Sequence, residues 1–290
     1  MNTRLFSLAL LLLLCSSCKE KTETDSTEPE IEQTSDFDAQ KAIESGIVEV
    51  DDFQSWWSYH YYDIDLYGYF VPLNQDSVFI KKDIFLQKII DGELMPIKVK
   101  SPEGANFYRL YGVDGEAREG VVNTLKNEAL RALKYYEMED TKFPEVEFTT
   151  LEGNKYTTES LKGKFVVYKT WFINCVACVK EFPDLNEFVE EYKDENVVFI
   201  SLATDDADSL KEFLKTKEFS YHTVAGQETL IQDQLGFNVY PTHVLVKPNG
   251  KIFKIFPTAE KLISFIKVNG GFKLPPPPPP PPAPSVLRVD

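Results

Sequence analysis

With 290 residues, of which 43% are hydrophobic and 27% charged, the chain has the composition of a globular protein with room for one large domain or two small ones. A formal net charge of −15 argues against binding to nucleic acid and against electrostatic docking on anionic lipid. Of the four cysteines, Cys15 and Cys18 end an export signal, so the remaining pair, Cys175 and Cys178, excludes a disulfide framework and a four-cysteine zinc site.

Residues 1–17 have the features of a bacterial export signal. Arg4 stands in a short leading stretch, an apolar run covers residues 8–14, and two serines precede Cys18. The run suits a secretory signal and is too short to cross a bilayer. The ending resembles that of a bacterial lipoprotein signal, although Cys15 stands where leucine is usual. We therefore expect a lipoprotein signal peptide with Cys18 as the lipidated residue; a plain signal peptide and a buried apolar helix are the alternatives.

Residues 18–39 are predicted to form a disordered acidic tether. Positions 19–38 hold eight acidic residues and many serines and threonines, so this segment cannot bury enough apolar surface to fold. Lys19 stands where an aspartate would retain such a lipoprotein in the inner membrane. We therefore expect a lipid-anchored protein in the cell envelope of a Gram-negative bacterium, facing the periplasm, with the outer membrane favoured over the inner.

Residues 40–140 are predicted to form a small α+β domain. The stretch 53–70 holds nine aromatic residues in eighteen, which favours an aromatic core over a stacking surface for a sugar or peptide. His60 lies in this stretch without a partner at metal-ligand spacing, which indicates a packed or surface histidine. Apolar spacing predicts helices over residues 82–91 and 119–137, and strands over residues 95–99 and 107–113.

Residues 141–270 show strands and helices in alternation. Predicted strands cover residues 146–149, 165–171, 197–202, 242–246 and 251–256, and predicted helices follow Cys178 and cover residues 206–217, 230–235 and 260–268. Pro248-Asn249-Gly250 is a strong hairpin signal between the last two strands. The order predicts an α/β thioredoxin-like fold, a central mixed sheet with flanking helices, preceded by the small α+β domain.

Residues 271–290 are predicted to be a proline-rich tail. A run of prolines from Pro275 would form a polyproline II rod of roughly 30 Å. Such a rod could be a spacer or a ligand for an aromatic groove. We prefer the third interpretation, a disordered tail.

The chemistry is concentrated between Phe165 and Pro183, where an apolar strand, a short loop, Cys175-x-x-Cys178 and an amphipathic helix follow one another. A thiol at a helix N-terminus loses its proton more easily, because unpaired N–H groups stabilise the nucleophilic thiolate. The spacing lets the second cysteine attack the sulfur of the first. An inert disulfide is the main alternative, although closing so short a loop gains little stability.

Residues 143–268 resemble the TlpA-like disulfide reductases of the thioredoxin superfamily, in the membrane-anchored lipoprotein form. The matching features are Gly163-Lys164, Trp171-Phe172-Ile173, Cys175-x-x-Cys178, Glu181-Phe182-Pro183 and Tyr240-Pro241-Thr242. Two positions depart from the family pattern: Ala177 replaces a common proline and Asn174 a common tryptophan. Both positions tune the reduction potential, so the direction of catalysis stays open, and reduction is expected from the branch that the chain resembles.

The resemblance implies a thiol-disulfide oxidoreductase that uses no cofactor and no metal. Cys175 would be the attacking thiolate and Cys178 the resolving thiol, together forming a redox-active disulfide. Glu181 would help to move protons at the cysteines, or would alternatively be an ordinary surface acid. Pro241, in a cis peptide bond, would shape the substrate groove together with Trp171, Tyr240 and Thr242.

The expected partners are disulfide-containing envelope proteins, a membrane electron donor and the membrane itself through the lipid anchor, with no nucleic acid. Two rival functions stay open. One is a non-enzymatic binding lipoprotein with a thioredoxin fold. The other is a peroxiredoxin-like peroxidase, whose reactive cysteine needs proline and threonine at set positions before it, where Tyr168 and Phe172 stand instead.

Overall fold

The structure, a computed structural model, describes residues 47–99 and 106–272. The predicted signal peptide, Cys18, the acidic tether and residues 273–290 of the tail lie outside the described residues. In the part of the chain that is described, every helix is too short or too polar to cross a membrane.

The leading part of the described chain is built on four strands and three helices. The strands are β1 (Ile47–Glu49), β2 (Val71–Leu73), β3 (Leu94–Val99) and β4 (Phe107–Asp114), and the helices are α1 (Phe53–Asp63), α2 (Lys82–Asp91) and α3 (Arg118–Met138). β4 is central, since it pairs antiparallel with β3 on one edge and parallel with β1 and β2 on the other. The predicted helices and strands of this region are confirmed to within one residue.

Helix α1 was not predicted, because aromatic side chains lie on all its sides and hide the helical period. Asp52 caps its start by accepting hydrogen bonds from the backbone N–H groups of Gln54 and Ser55. The expected aromatic core is confirmed in part. Trp56, Tyr59 and Tyr67 are buried, whereas four aromatic side chains of the helix are 36 to 53% exposed, namely Phe53, Trp57, Tyr61 and Tyr62.

The second part of the chain begins with a small hairpin of β5 (Glu147–Thr149) and β6 (Lys155–Thr157) and continues into a mixed sheet. The strands of the sheet are β7 (Phe165–Trp171), β8 (Val197–Ala203), β9 (His222–Val224), β10 (Thr242–Val246) and β11 (Ile252–Phe256). They lie in the order β11-β10-β7-β8-β9. β7, β8 and β9 run parallel, and β10 is antiparallel to both β7 and β11. This is the predicted thioredoxin-like sheet, and the predicted hairpin of β10 and β11 is confirmed.

Helices cover this sheet. They are α4 (Thr158–Leu161), α5 (Val176–Lys180), α6 (Phe182–Glu191), α7 (Ala207–Leu214) and α8 (Ala259–Val268), with a π-helical segment at Thr229–Gln234. The sequence predicted one helix after Cys178, but the structure divides it at Glu181. Pro183 has no N–H group to bond the preceding turn, so the α-helical ladder is interrupted there.

The two faces of the sheet have different partners. Since side chains alternate along a strand, Val167 faces one side of the sheet, where it packs with α6 and α8. Its neighbours Val166 and Tyr168 face the other side and join a core that continues into the leading region, including Leu125 and Ala129 of α3. The leading region therefore packs directly on the domain that carries the cysteines.

Candidate active site

Cys175 and Cys178 form a disulfide bond at the carboxyl end of β7, with their Cα atoms 5.2 Å apart. Backbone hydrogen bonds hold the loop that presents them. The Cys175 N–H donates to the Phe172 carbonyl at 3.0 Å, and the Ile173 N–H donates to Asp205 Oδ2 at 2.9 Å. The loop is thus tied to its own turn and to the end of β8. The sequence did not point to Asp205.

The two cysteines differ in position and access. Cys175 is the N-cap of α5, and its Sγ accepts a hydrogen bond from the Cys178 N–H at 3.2 Å. This bond would stabilise a thiolate on Cys175. Cys175 is 7% exposed and Cys178 is fully buried. The geometry therefore makes Cys175 the sulfur that a partner molecule reaches first.

An aromatic cluster packs against the two cysteines. Trp171 is fully buried and packs edge-on against Phe182, with ring centroids 5.1 Å apart. Phe182 in turn stacks on Phe219 at 3.9 Å. Trp171, predicted to line the substrate groove, therefore lies under the groove and acts through packing.

The predicted cis peptide bond between Tyr240 and Pro241 is present. Tyr240 packs against the cluster that contains both cysteines, and its ring meets Phe172 edge-on at 5.3 Å. Thr242 is fully buried, with its Oγ1 donating to the Val239 carbonyl at 2.8 Å and lying 3.0 Å from Tyr135 Oη. Thr242 therefore anchors the proline loop and does not lie on the surface of the groove.

Glu181 is the centre of a buried polar cluster. Its Oε2 is paired with Lys169 Nζ and lies 3.0 Å from His243 Nε2, and its Oε1 accepts a hydrogen bond of 2.7 Å from the Ala259 N–H at the start of α8. The Lys169 and His243 side chains are fully buried, and that of Glu181 is 14% exposed. The alternative interpretation of Glu181 as an ordinary surface acid is therefore wrong.

The charges in this cluster follow from burial and pairing. Burial raises the pKa of Glu181, but the hydrogen bond with His243, the positive charge that His243 gains in acid and the positive charge of Lys169 outweigh burial and bring that pKa down to about 2. Burial lowers the pKa of Lys169, and pairing with Glu181 opposes that effect. Burial and the Lys169 charge lower the pKa of His243, so its neutral imidazole donates from Nε2. Glu181 is thus a fixed negative charge at neutral pH, and its predicted part in moving protons stays a prediction.

Lys169 and His243 were missed as members of the site. Lys169 interrupts the apolar run of β7, which was the available signal, since a cation in a buried strand needs a partner. His243 carried no local signal. It joins Lys169 because the two residues are register partners on β7 and β10. Among the described residues, no group of three or more His, Cys, Asp or Glu side chains could hold a metal ion.

We expect acid to weaken the fold through Glu181. Its folded pKa of about 2 lies below the ordinary value of 4.5, so the folded state takes up this proton less readily than the unfolded chain. The resulting stabilisation, about 3 kcal/mol, is complete above about pH 4.5 and is lost as the pH falls towards 2. Urea unfolding of the wild type and of Glu181→Gln, from neutral pH to about pH 2.5, would measure it. Parallel pH profiles for the two proteins would contradict the prediction.

Comparison with known proteins agrees with this geometry. Residues 138–265 match the family described as Redoxin. The thiol-disulfide oxidoreductase ResA of Bacillus cereus is 32% identical over 110 residues, covering 38% of this chain and 64% of that protein, which is just under two thirds of its length. ResA of Bacillus thuringiensis subsp. konkukian is 30% identical over 128 residues, covering 43% of this chain and 74% of that protein.

Among solved structures, the thioredoxin domain of a thiol-disulfide oxidoreductase from Bacteroides vulgatus aligns with 22% identity and a TM-score of 0.41, over 45% of this chain and 96% of that one. The family match leaves the leading region, residues 47–137, outside it. The sequence identity to ResA over most of its length, together with the paired cysteines at the end of β7, shows that the chain belongs to the TlpA-like family of thiol-disulfide oxidoreductases in the thioredoxin superfamily.

Proposed function

We propose that the protein reduces disulfide bonds of envelope proteins through Cys175 and Cys178. The observation that carries this proposal is the disulfide between an N-capping, partly accessible cysteine and a fully buried one beside a cis-proline loop. The relatives named thiol-disulfide oxidoreductases support the same reaction class.

The reaction begins from the reduced dithiol. The Cys175 thiolate attacks one sulfur of the substrate disulfide, forms a mixed disulfide and releases the other substrate sulfur as a thiolate. Cys178 then loses its proton and attacks Cys175 Sγ, which releases the second substrate thiolate and forms the Cys175–Cys178 disulfide. Two electrons pass from the protein to the substrate, and a dithiol donor at the membrane must return two electrons to the pair.

A Cys178→Ser variant is expected to accumulate mixed disulfides through Cys175, because the sulfur that resolves them is missing. Envelope extracts of cells that express the variant, separated without reductant and analysed by mass spectrometry, would name the substrates. The matched control is the Cys175→Ser/Cys178→Ser double variant, which lacks both thiols of the pair and should form no adduct through it. Absence of adducts from Cys178→Ser under both reducing and oxidising growth would argue against the proposal.

The envelope location forms part of this proposal and is supported by the sequence of residues 1–17 and by Cys18. Mass spectrometry of the mature N-terminus would show a diacylglycerol adduct on Cys18, and Cys18→Ala would lose it. The direction of electron flow follows from the reduction potential of the Cys175–Cys178 pair, measured by equilibration with a glutathione buffer. The peroxidase and binding-protein alternatives are not favoured, because the relatives share the oxidoreductase chemistry.

A further inference from the structure

A cleft of about 930 Å³ runs between the leading region and the cysteine-bearing domain. Helices α1 and α3 form one wall, and residues 236–241, which end at the cis-proline, form the other. Volumes of this order are typical of ligand sites. The leading region, which lies outside the family match, therefore contributes one wall of this cleft, and Tyr240 on the other wall packs against the cluster that contains both cysteines.

The two walls are held together by direct contacts. Tyr135 of α3 lies 3.0 Å from Thr242 Oγ1 through its hydroxyl, and Lys134 Nζ donates to the Gly236 carbonyl. The Tyr61 hydroxyl reaches Glu260 Oε2 at 3.5 Å. These contacts join α1 and α3 to the loop beside Pro241 and to the start of α8. They therefore hold the two walls of the cleft at a fixed distance from each other.

Apolar side chains are exposed in this cleft to an unusual degree. Trp57, Tyr61, Leu130 and Val239 all line it and are 36%, 53%, 47% and 41% exposed. Four of the ten large hydrophobic side chains that are exposed in the described part of the chain thus meet in one place. A concentration of exposed apolar surface is typical of a site that binds another polypeptide.

The charge of the cleft is opposite to that of the whole protein. Of the three cations that line it in the described part of the chain, Arg131 donates to the Tyr67 hydroxyl and Lys134 to a backbone carbonyl, which are neutral groups, whereas Lys261 pairs with Asp65 at 3.2 Å. Glu128, the single carboxylate among the lining residues that the structure describes, is engaged by His60 at 2.6 Å. In a chain with a net charge of −15, such a groove favours an acidic occupant.

We propose that this cleft binds an extended segment of the substrate protein, in which an aromatic side chain adjoins the disulfide cysteine and an acidic side chain lies further along. The aromatic side chain packs on Trp57 and Tyr61, and the acidic one pairs with Arg131. The inference rests on the proposed function and adds to it a substrate preference that is set by the leading region.

The test uses reduced protein and two synthetic peptides, each with one cysteine activated as a mixed disulfide with thionitrobenzoate. One peptide has Phe beside the cysteine and Glu further along, and the other has Gly and Gln at these positions. For each peptide, the rate of thionitrobenzoate release is divided by the rate at which the same protein reduces the small disulfide dithiobis(nitrobenzoate). We expect this ratio to be about tenfold higher for the first peptide, and the Trp57→Ala and Tyr61→Ala variants to remove that advantage.

The chain offers matched controls. Ile84 and Val78 are 45% and 46% exposed, and neither lines the cleft. Ile84→Ala and Val78→Ala are expected to keep the tenfold preference. All four side chains are partly exposed, and urea unfolding would check that each variant remains folded.

Three results would overturn the proposal. Equal ratios for the two peptides would show that the cleft does not select, and a loss of preference in the control variants would show that the effect is not local. Faster peptide reaction after deletion of residues 273–290, with competition by a synthetic tail peptide, would assign the cleft to the chain's own proline-rich tail. If Cys175 does not react even with dithiobis(nitrobenzoate), the proposed function is contradicted as well.

Discussion

A Cys175→Ser variant is expected to lose disulfide reduction by a factor on the order of 10³ or more. The serine hydroxyl is not ionised at neutral pH and does not attack a disulfide sulfur. Cys178 cannot take over the reaction, because it is fully buried while Cys175 is partly accessible. The measurement is single-turnover reduction of a disulfide peptide by protein that has been reduced beforehand.

Cys178→Ser is the informative companion of this variant. It keeps the Cys175 thiolate and should form the mixed disulfide, but it should not release the second substrate thiol. The two variants therefore separate attack from resolution. A Cys175→Ser protein that retains more than about a tenth of wild-type reduction would show that the roles of the cysteines are not those proposed here.

Glu181→Gln is expected to destabilise the fold by about 3 to 5 kcal/mol, because it leaves the Lys169 charge buried without its counter-ion. For a protein of this size the loss corresponds to a fall in Tm of roughly 10 °C. Urea unfolding at neutral pH measures it. Adding Lys169→Met to Glu181→Gln removes the unpaired charge, so the double variant should recover part of the loss.

The matched control is Glu190→Gln, which makes the same change in an ion pair on the surface. Lys193 and Glu190 are 54% and 72% exposed, and solvent screens such a pair. We expect no measurable change in stability from Glu190→Gln. Equal losses of stability from the two Glu→Gln substitutions would show that the buried Glu181–Lys169 pair contributes no more than a solvent-screened surface pair.

Much of the fold was predictable, because its signals are local. The spacing of apolar residues predicted the helix at Lys82–Asp91 with its observed bounds, and Pro248-Asn249-Gly250 predicted the hairpin of β10 and β11. Helix α1 and the short strands β1, β2, β6 and β9 were missed. An all-round aromatic helix has no apolar face to detect, and a strand of three residues is too short to show an alternation.

The redox-active pair of cysteines was predictable, since a CxxC motif between an apolar strand and a helix is a signal contained within a few residues. The family resemblance also placed the cis bond at Pro241. The burial of Trp171 and Thr242 was not predictable, because it depends on how the aromatic cluster and Tyr135 pack on them. The surface of the groove is therefore formed by neighbours of these residues.

Local sequence was sufficient to predict the reaction class and the pair of cysteines, because both depend on residues within a turn or two of one another. The attacking and resolving roles and the export signal stay predictions. Only the tertiary structure shows the environment of Glu181 and the cleft lined by exposed aromatic residues. Glu181 meets His243 across 62 positions, and Tyr135 meets Thr242 across 107. Such contacts are set by the register of β7 with β10 and by the packing of α3 on the sheet, neither of which a local pattern contains.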